Sequence, residues 1–177
     1  MFLLQVCFYW LFIGIVEFYS MKVLIVSSGN SGDISSFIKE QAEALKKLGI
    51  EIHHFLIEGK GVFGYFMNRR KLKASIIKFA PDIIHAHYGL SGLLSNLQRK
   101  VPVITTYHGS DINNTVPYLF SKFSIFLSRY NIFVSAKLAK NAKGKHNFAI
   151  VSCGIDLSVI KEVDKDEAKR IMKLPDN

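Results

Sequence analysis

Cysteine is nearly absent: Cys7 and Cys153 are the only two in 177 residues. A pair so widely separated builds neither a disulfide framework nor a zinc-ligand pattern, which suits a reducing compartment. Acidic residues are in the minority, 14 Asp and Glu against 23 Lys and Arg, for a net charge of +9. That deficit favours anionic partners, whether phosphate groups, nucleic acid or an acidic lipid surface, without choosing among them. Internal repeats and low-complexity tracts are missing too, so a repeat array is excluded. The apolar run from Phe2 to Tyr19 lacks a preceding basic residue and a small-x-small cleavage site, which makes it a poor signal peptide. At about 1.5 Å per residue it nearly crosses a bilayer core of roughly 30 Å. Residues 1–20 are therefore set apart as an apolar leader: a mis-assigned start, a membrane anchor or a helix docked on the domain.

What is abundant is apolar surface to bury, 49% of all residues, enough for a packed core in one domain of ordinary size. From Met21 onward strands and helices alternate. Lys22–Ser27 is a β-branched run without alternation, as strands covered on both faces tend to be. Ser35–Leu48 places Phe37, Ile38, Ala42, Leu45 and Leu48 on one stripe, and Gly49 ends it. Further strands are expected at Glu51–Ile57, Ile83–Ala86, Val103–Thr106, Ile132–Val134 and Phe148–Val151. Helices are expected at Val62–Phe79, Leu90–Gln98, Val116–Arg129, Ala136–Ala142 and Lys165–Met172. This order predicts the α/β class: a single Rossmann-like domain over residues 21–163, its parallel sheet flanked by helices. Residues 164–177 read as a helical linker.

Ligands of open parallel sheets bind outside the carboxyl ends of the strands. Polar and glycine residues gather in the loops expected there. The first, Ser28–Asp33, offers Gly29, Ser31 and Gly32, whose backbone lets a phosphate approach near a helix N-terminus. It is neither a dinucleotide fingerprint nor a P-loop, and a plain flexible turn is the alternative. His85 and His87, two apart, share one face of the sheet if the strand extends that far. No third metal ligand stands nearby in sequence, so no metal is assigned. One is read as a core histidine, the other, with Tyr88, as facing a cleft. His108 runs directly from strand to loop, where Gly109 permits a bend and Asp111 can cap the next segment or orient an imidazole. An ordinary capped turn is the alternative. Arg69, Arg70, Lys71 and Lys73 form a basic face suited to anionic headgroups or simply to water. Nucleic acid is disfavoured, because the aromatics follow core spacing and form no exposed stacking platform.

The stretches MKVLIVSSGNSGDISSFIKEQAEALKKLG, PDIIHAHYGLSG, VPVITTYHGSDI, VSAKLAKN and VSCGIDLSVI, in this order, resemble the N-terminal domain of family-4 retaining glycosyltransferases of GT-B fold. In the last stretch Cys153 stands where the family has asparagine. The resemblance implies half of a two-domain clamp. The N-terminal domain would hold a saccharide or lipid-linked acceptor, while a C-terminal domain grips a nucleotide-sugar donor. It implies that Gly32 and its loop approach the donor diphosphate, that His108 hydrogen-bonds the transferred sugar, and that Asp111 supports that loop. It implies no metal and no cofactor, a cytoplasmic protein with membrane association as a further reading, and, since the donor domain is not in this sequence, no turnover by the chain alone. Two alternatives stand beside it: a nucleotide-binding module with Glu58 as ribose-binding acid, and a membrane-surface module without chemistry.

Overall fold

The computed structural model describes residues 20–143, 147–154 and 163–175. The apolar leader, with Cys7, and the Ile155-Asp156 end of the last loop lie outside the described residues. Six strands form one sheet: β1 (Lys22–Ser28), β2 (Glu51–Ile57), β3 (Ile83–His87), β4 (Val103–Tyr107), β5 (Tyr130–Phe133) and β6 (Phe148–Ile150). Their spatial order is β2-β1-β3-β4-β5-β6 and every pairing is parallel. The expected Rossmann-like α/β class is therefore met. From β1 the chain winds outward to β2, then reverses and builds β3 to β6 on the other side. The reversal falls between β1 and β3, the place where a doubly wound sheet opens a crevice.

The pleat explains the unbroken apolar run of β1. Val23 and Ile25 pack against Ile38 and Ala42 of α1 (Ser36–Lys47) on one face. Leu24 and Val26 meet, on the other face, Leu72 of α3 (Arg69–Phe79) and Leu94 of α4 (Gly89–Asn96). Each such side chain contributes about 1.5–3 kcal/mol of transfer free energy. A second cluster on Tyr107 and Phe133 takes in α5 (Ser110–Asn113), α6 (Thr115–Leu127) and α7 (Ala136–Asn141). The terminal α8 (Lys165–Met172) buries none of its side chains, and Asp164 caps it by accepting from the backbone N–H of Asp166 and Glu167. Among the described residues, no helix is long and apolar enough to cross a membrane.

One element departs from expectation. The continuous helix read over Val62–Phe79 is two helices, α2 (Gly61–Met67) and α3, broken at Asn68. Asn68, polar and directly before the basic residues Arg69, Arg70 and Lys71, is only 4% exposed. Its side-chain amide donates to the carbonyls of Glu58 (2.7 Å) and Gly64 (2.8 Å). A buried amide satisfied by two carbonyls ties the end of β2 to α2, and that tie fixes where the helix turns.

Candidate active site

Because all strands run the same way, the loops after β1, β3 and β4 emerge at one edge of the sheet. His85 and His87 do share a face, the one that α1 covers, and their rings lie 4.5 Å apart. His85 Nε2 pairs with Thr106 Oγ1 at 2.8 Å, so its partner is a side-chain hydroxyl. His87 Nδ1 lies 3.0 Å from His108 Nε2, with the two rings stacked at 5.3 Å. The His108 ring centroid lies 4.6 Å from that of Phe37, at the start of α1, and 4.7 Å from that of Tyr88. Beyond His108 the sheet face is open. The space bounded by α1, His108, Thr106, Ile132, Val151 and Cys153 is a cavity of about 720 Å³.

The backbone here is held under strain. Tyr88 has φ +70°, a conformation costly for an aromatic residue. Two bonds keep it there. Tyr88 N–H donates to the Thr106 carbonyl (2.9 Å), and the next N–H, of Gly89, donates to the Asp111 carboxylate (3.1 Å). The same carboxylate accepts from the N–H of His108 (3.2 Å) and of Gly109 (2.9 Å). Asp111 thus binds two rim loops together, and its carboxylate faces their backbone N–H groups rather than the imidazoles. Burial raises its carboxyl above the usual range, and these N–H groups oppose that rise. Gly109, at φ +129°, makes the turn that a side chain would disfavour.

All three imidazoles are neutral at pH 7. Burial lowers His85 and His108 to about 4, the charge of His108 adding to the effect at His85. Burial, then the neighbouring histidines, takes His87 well below its ordinary value. In the His87–His108 pair one nitrogen must therefore donate and the other accept. His87 Nε2 is buried with no hydrogen-bond partner. A buried N–H without a partner is rarer than a buried bare lone pair, which puts the His87 proton on Nδ1. His108 then accepts at Nε2 and carries its own proton on Nδ1, the nitrogen 3.8 Å from Cys153 Sγ. The site presents a neutral N–H donor beside an exposed thiol.

In the first loop, Gly29 N–H donates to the Ile57 carbonyl (2.9 Å) and Gly32 N–H to the Gly29 carbonyl (3.0 Å). Ser31 Oγ donates to the Asp33 carbonyl. What this loop offers a ligand is open space: a side chain at Gly32, φ +85°, would meet nothing within 4 Å. Arg69, Arg70, Lys71 and Lys73 lie on α3, across the sheet from the cavity, and Lys71 Nζ approaches the Glu58 carboxylate at 3.8 Å. Among the described residues no cluster of three or more His, Cys, Asp or Glu could hold a metal ion. Sequence reading missed Phe37 and Thr106 as site residues. Both sat in core-type patterns; Phe37 reaches the His87 and His108 rings from α1, and Thr106 bonds His85 and lines the cavity.

The Glycosyl transferase 4-like family model matches residues 33–142. The chain is 29% identical over 126 residues to TuaC of Bacillus subtilis (strain 168), described as a teichuronic acid biosynthesis glycosyltransferase. That match covers 60% of this chain and 32% of TuaC, so the chain spans about a third of that relative's length. Sucrose-phosphate synthase from Thermosynechococcus elongatus has the same fold over 88% of this chain and 53% of its own, with a TM-score of 0.68 at 16% identity. UDP-GlcNAc 2-epimerase from Methanocaldococcus jannaschii follows with a TM-score of 0.55 at 16% identity, over 73% of this chain and 45% of its own. Motif order, sheet topology and the long family match agree: the chain belongs to the Glycosyl transferase 4-like family, as its N-terminal, Rossmann-like part.

Proposed function

We propose that this chain is the acceptor-side half of a retaining glycosyltransferase site, which passes a sugar from a nucleotide-sugar donor to a saccharide or lipid-linked acceptor. The observation that supports this best is the neutral His108 Nδ1–H at the rim of a 720 Å³ cavity. A sugar presents hydroxyl oxygens, and a donor held by buried neighbours positions one of them without adding charge. The open backbone at Gly32 is the place for the donor diphosphate to pass. Charge on the departing diphosphate would be stabilised by basic and backbone groups of a facing domain. The relatives are longer than this chain by the shares given above, in keeping with that division of labour. TuaC's description suggests a cell-surface polysaccharide as the product class.

The test is direct. Purified 177-residue chain is incubated with a panel of UDP- and GDP-sugars and with candidate acceptor glycans, while amide shifts and released nucleotide are followed. Acceptor glycans are expected to shift resonances around His108, Tyr88 and Phe37, with no donor turnover. Transfer or donor hydrolysis by this chain alone would refute the division between two domains. Tight NAD(H) binding, with no response to sugars, would move the assignment to a nucleotide-binding module.

A further inference from the structure

Helix α6 is built inside out. Its fully buried residues are small and polar, Ser121 and Ser124. They face Gly89 and Gly92 of α4 so closely that a Cβ on either glycine would stand 1.9 Å from Ser121 Oγ or 2.2 Å from Ser124 Oγ. While Tyr118 and Ile125 pack toward the Tyr107–Phe133 cluster, four large side chains point the other way: Val116, Leu119, Phe123 and Phe126 are 66%, 52%, 61% and 84% exposed. At intervals of three and four residues they form one continuous stripe. A stripe of this size left in water is the usual mark of a surface that something else covers.

The charge around it says what. From His85 to Gly154 the sole carboxylate side chain is Asp111, which is buried on the backbone of the rim loops. Exposed cations of the same stretch include Lys122 within the helix, Arg129 just past it, and Arg99, Lys100 and Lys143. Arg99 reaches the carbonyl of Leu127, the last residue of α6. Lys122 and Lys143 line the pocket that Phe126 borders. The ion pairs among the described residues, Lys22–Glu51, Lys39–Asp33, Lys46–Glu43 and Lys71–Glu58, all lie between residues 22 and 71. Among the described residues no carboxylate pairs with the cations beside α6. A second copy of the chain would bring like charge against like, and the apolar leader would leave these cations unpaired.

We propose that the outward face of α6 docks on an anionic lipid bilayer. Val116, Leu119, Phe123 and Phe126 enter the boundary between headgroups and acyl chains, and Lys122 and Arg129 meet the lipid phosphates. Apolar insertion and headgroup attraction add, as in amphipathic helices that lie in the interface plane. This surface is distinct from the basic face of α3, and it does not depend on the transfer reaction.

The test uses the whole chain with a single fluorophore. Trp10 is the only tryptophan, so Trp10→Phe combined with Phe126→Trp reports from α6 alone, and Phe123→Trp gives a second reporter at another exposed position. With vesicles of phosphatidylglycerol and phosphatidylcholine, the emission is expected to shift to the blue and to be quenched at least twofold by brominated acyl chains. Pure phosphatidylcholine or about 1 M salt should abolish the effect. Lys122→Glu with Arg129→Glu should weaken vesicle binding about tenfold or more. Vesicle-bound protein whose reporters stay unquenched would mean that the leader or α3 makes the contact, and the proposal falls. Absence of vesicle binding overturns it too, and so does a blue shift that grows with protein concentration in the absence of lipid, the sign of a second copy. None of these readouts involves sugar, so their failure leaves the glycosyl-transfer reading standing.

Discussion

At the scale of single residues, His108 depends on His87 for which of its nitrogens faces the cavity. The 3.0 Å contact between His87 Nδ1 and His108 Nε2, with His87 Nε2 buried and unpartnered, assigns the His108 proton to Nδ1. Long-range ¹H–¹⁵N spectra of the imidazoles at pH 7 should therefore show His108 protonated at Nδ1. His87→Phe keeps a ring in the stack but removes the donor, and His108 should then shift toward the Nε2–H form that free imidazole side chains favour. A purely structural role for His87 would disturb amide shifts around β3 without moving the proton. A wild-type His108 found protonated at Nε2 would show the assignment to be wrong. The HAH and YHGSD stretches could be recognised in sequence because their residues sit at strand ends. The pairing of His87 with His108 could not, since it depends on register: Thr106 lies opposite His87, and His108, two residues further and on the same side, comes beside it.

At the scale of elements, the sheet was legible and the contacts between helices were not. Strand β1 lies at Lys22–Ser28 as its apolar run suggests, because parallel strands buried on both faces announce themselves by composition alone. Helices on the outside obey a weaker rule. Sequence places a helix at Val116–Arg129 without fixing which face it buries, and α6 buries Ser121 and Ser124. Its orientation follows from α4, whose Gly89 and Gly92 admit only small neighbours. Polar groups complete the seam: Tyr107 hydroxyl lies 3.1 Å from Ser124 Oγ, and Thr105 Oγ1 lies 2.8 Å from Ser128 Oγ. Gly89→Ala would place its Cβ 2.8 Å from Ser121 Cα, a clash that no rotamer change relieves. The expected cost is about 3 kcal/mol, the upper end of overpacking effects, measured as a lower urea midpoint with unchanged slope. A variant of wild-type stability would mean that α4 and α6 can part freely, and the close seam would not be what turns the phenylalanines outward.

At the scale of the whole molecule, the histidine cluster couples folding to pH. Unfolded histidine titrates near 6.5, whereas burial holds His85 and His108 at about 4 and His87 well below its ordinary value in the fold. Between those limits the unfolded chain binds protons that the folded chain refuses. Stability is therefore full above pH 6.5 and declines as the pH falls toward 4, by up to about 1.4 kcal/mol per pH unit for each histidine. His54, lowered chiefly by burial, adds in the same direction. Asp111 acts with opposite sign. Its carboxyl is raised by burial, so on acidification the fold takes up that proton first and recovers a little stability at the acid end. Asp33 and Glu43, lowered by their lysine partners, begin to lose their contribution only near the carboxylate range, below most of this interval. The urea midpoint should accordingly be flat from pH 8 to 7 and fall steadily from 6.5 to 4.5. A flat profile through pH 5 would mean that the imidazoles charge freely in the fold, through water or an acid partner. The geometry argues against such a partner. The carboxylate closest in sequence to His108, Asp111, is already engaged by three backbone N–H groups, and turning it toward an imidazole would release the two loops whose meeting forms the rim.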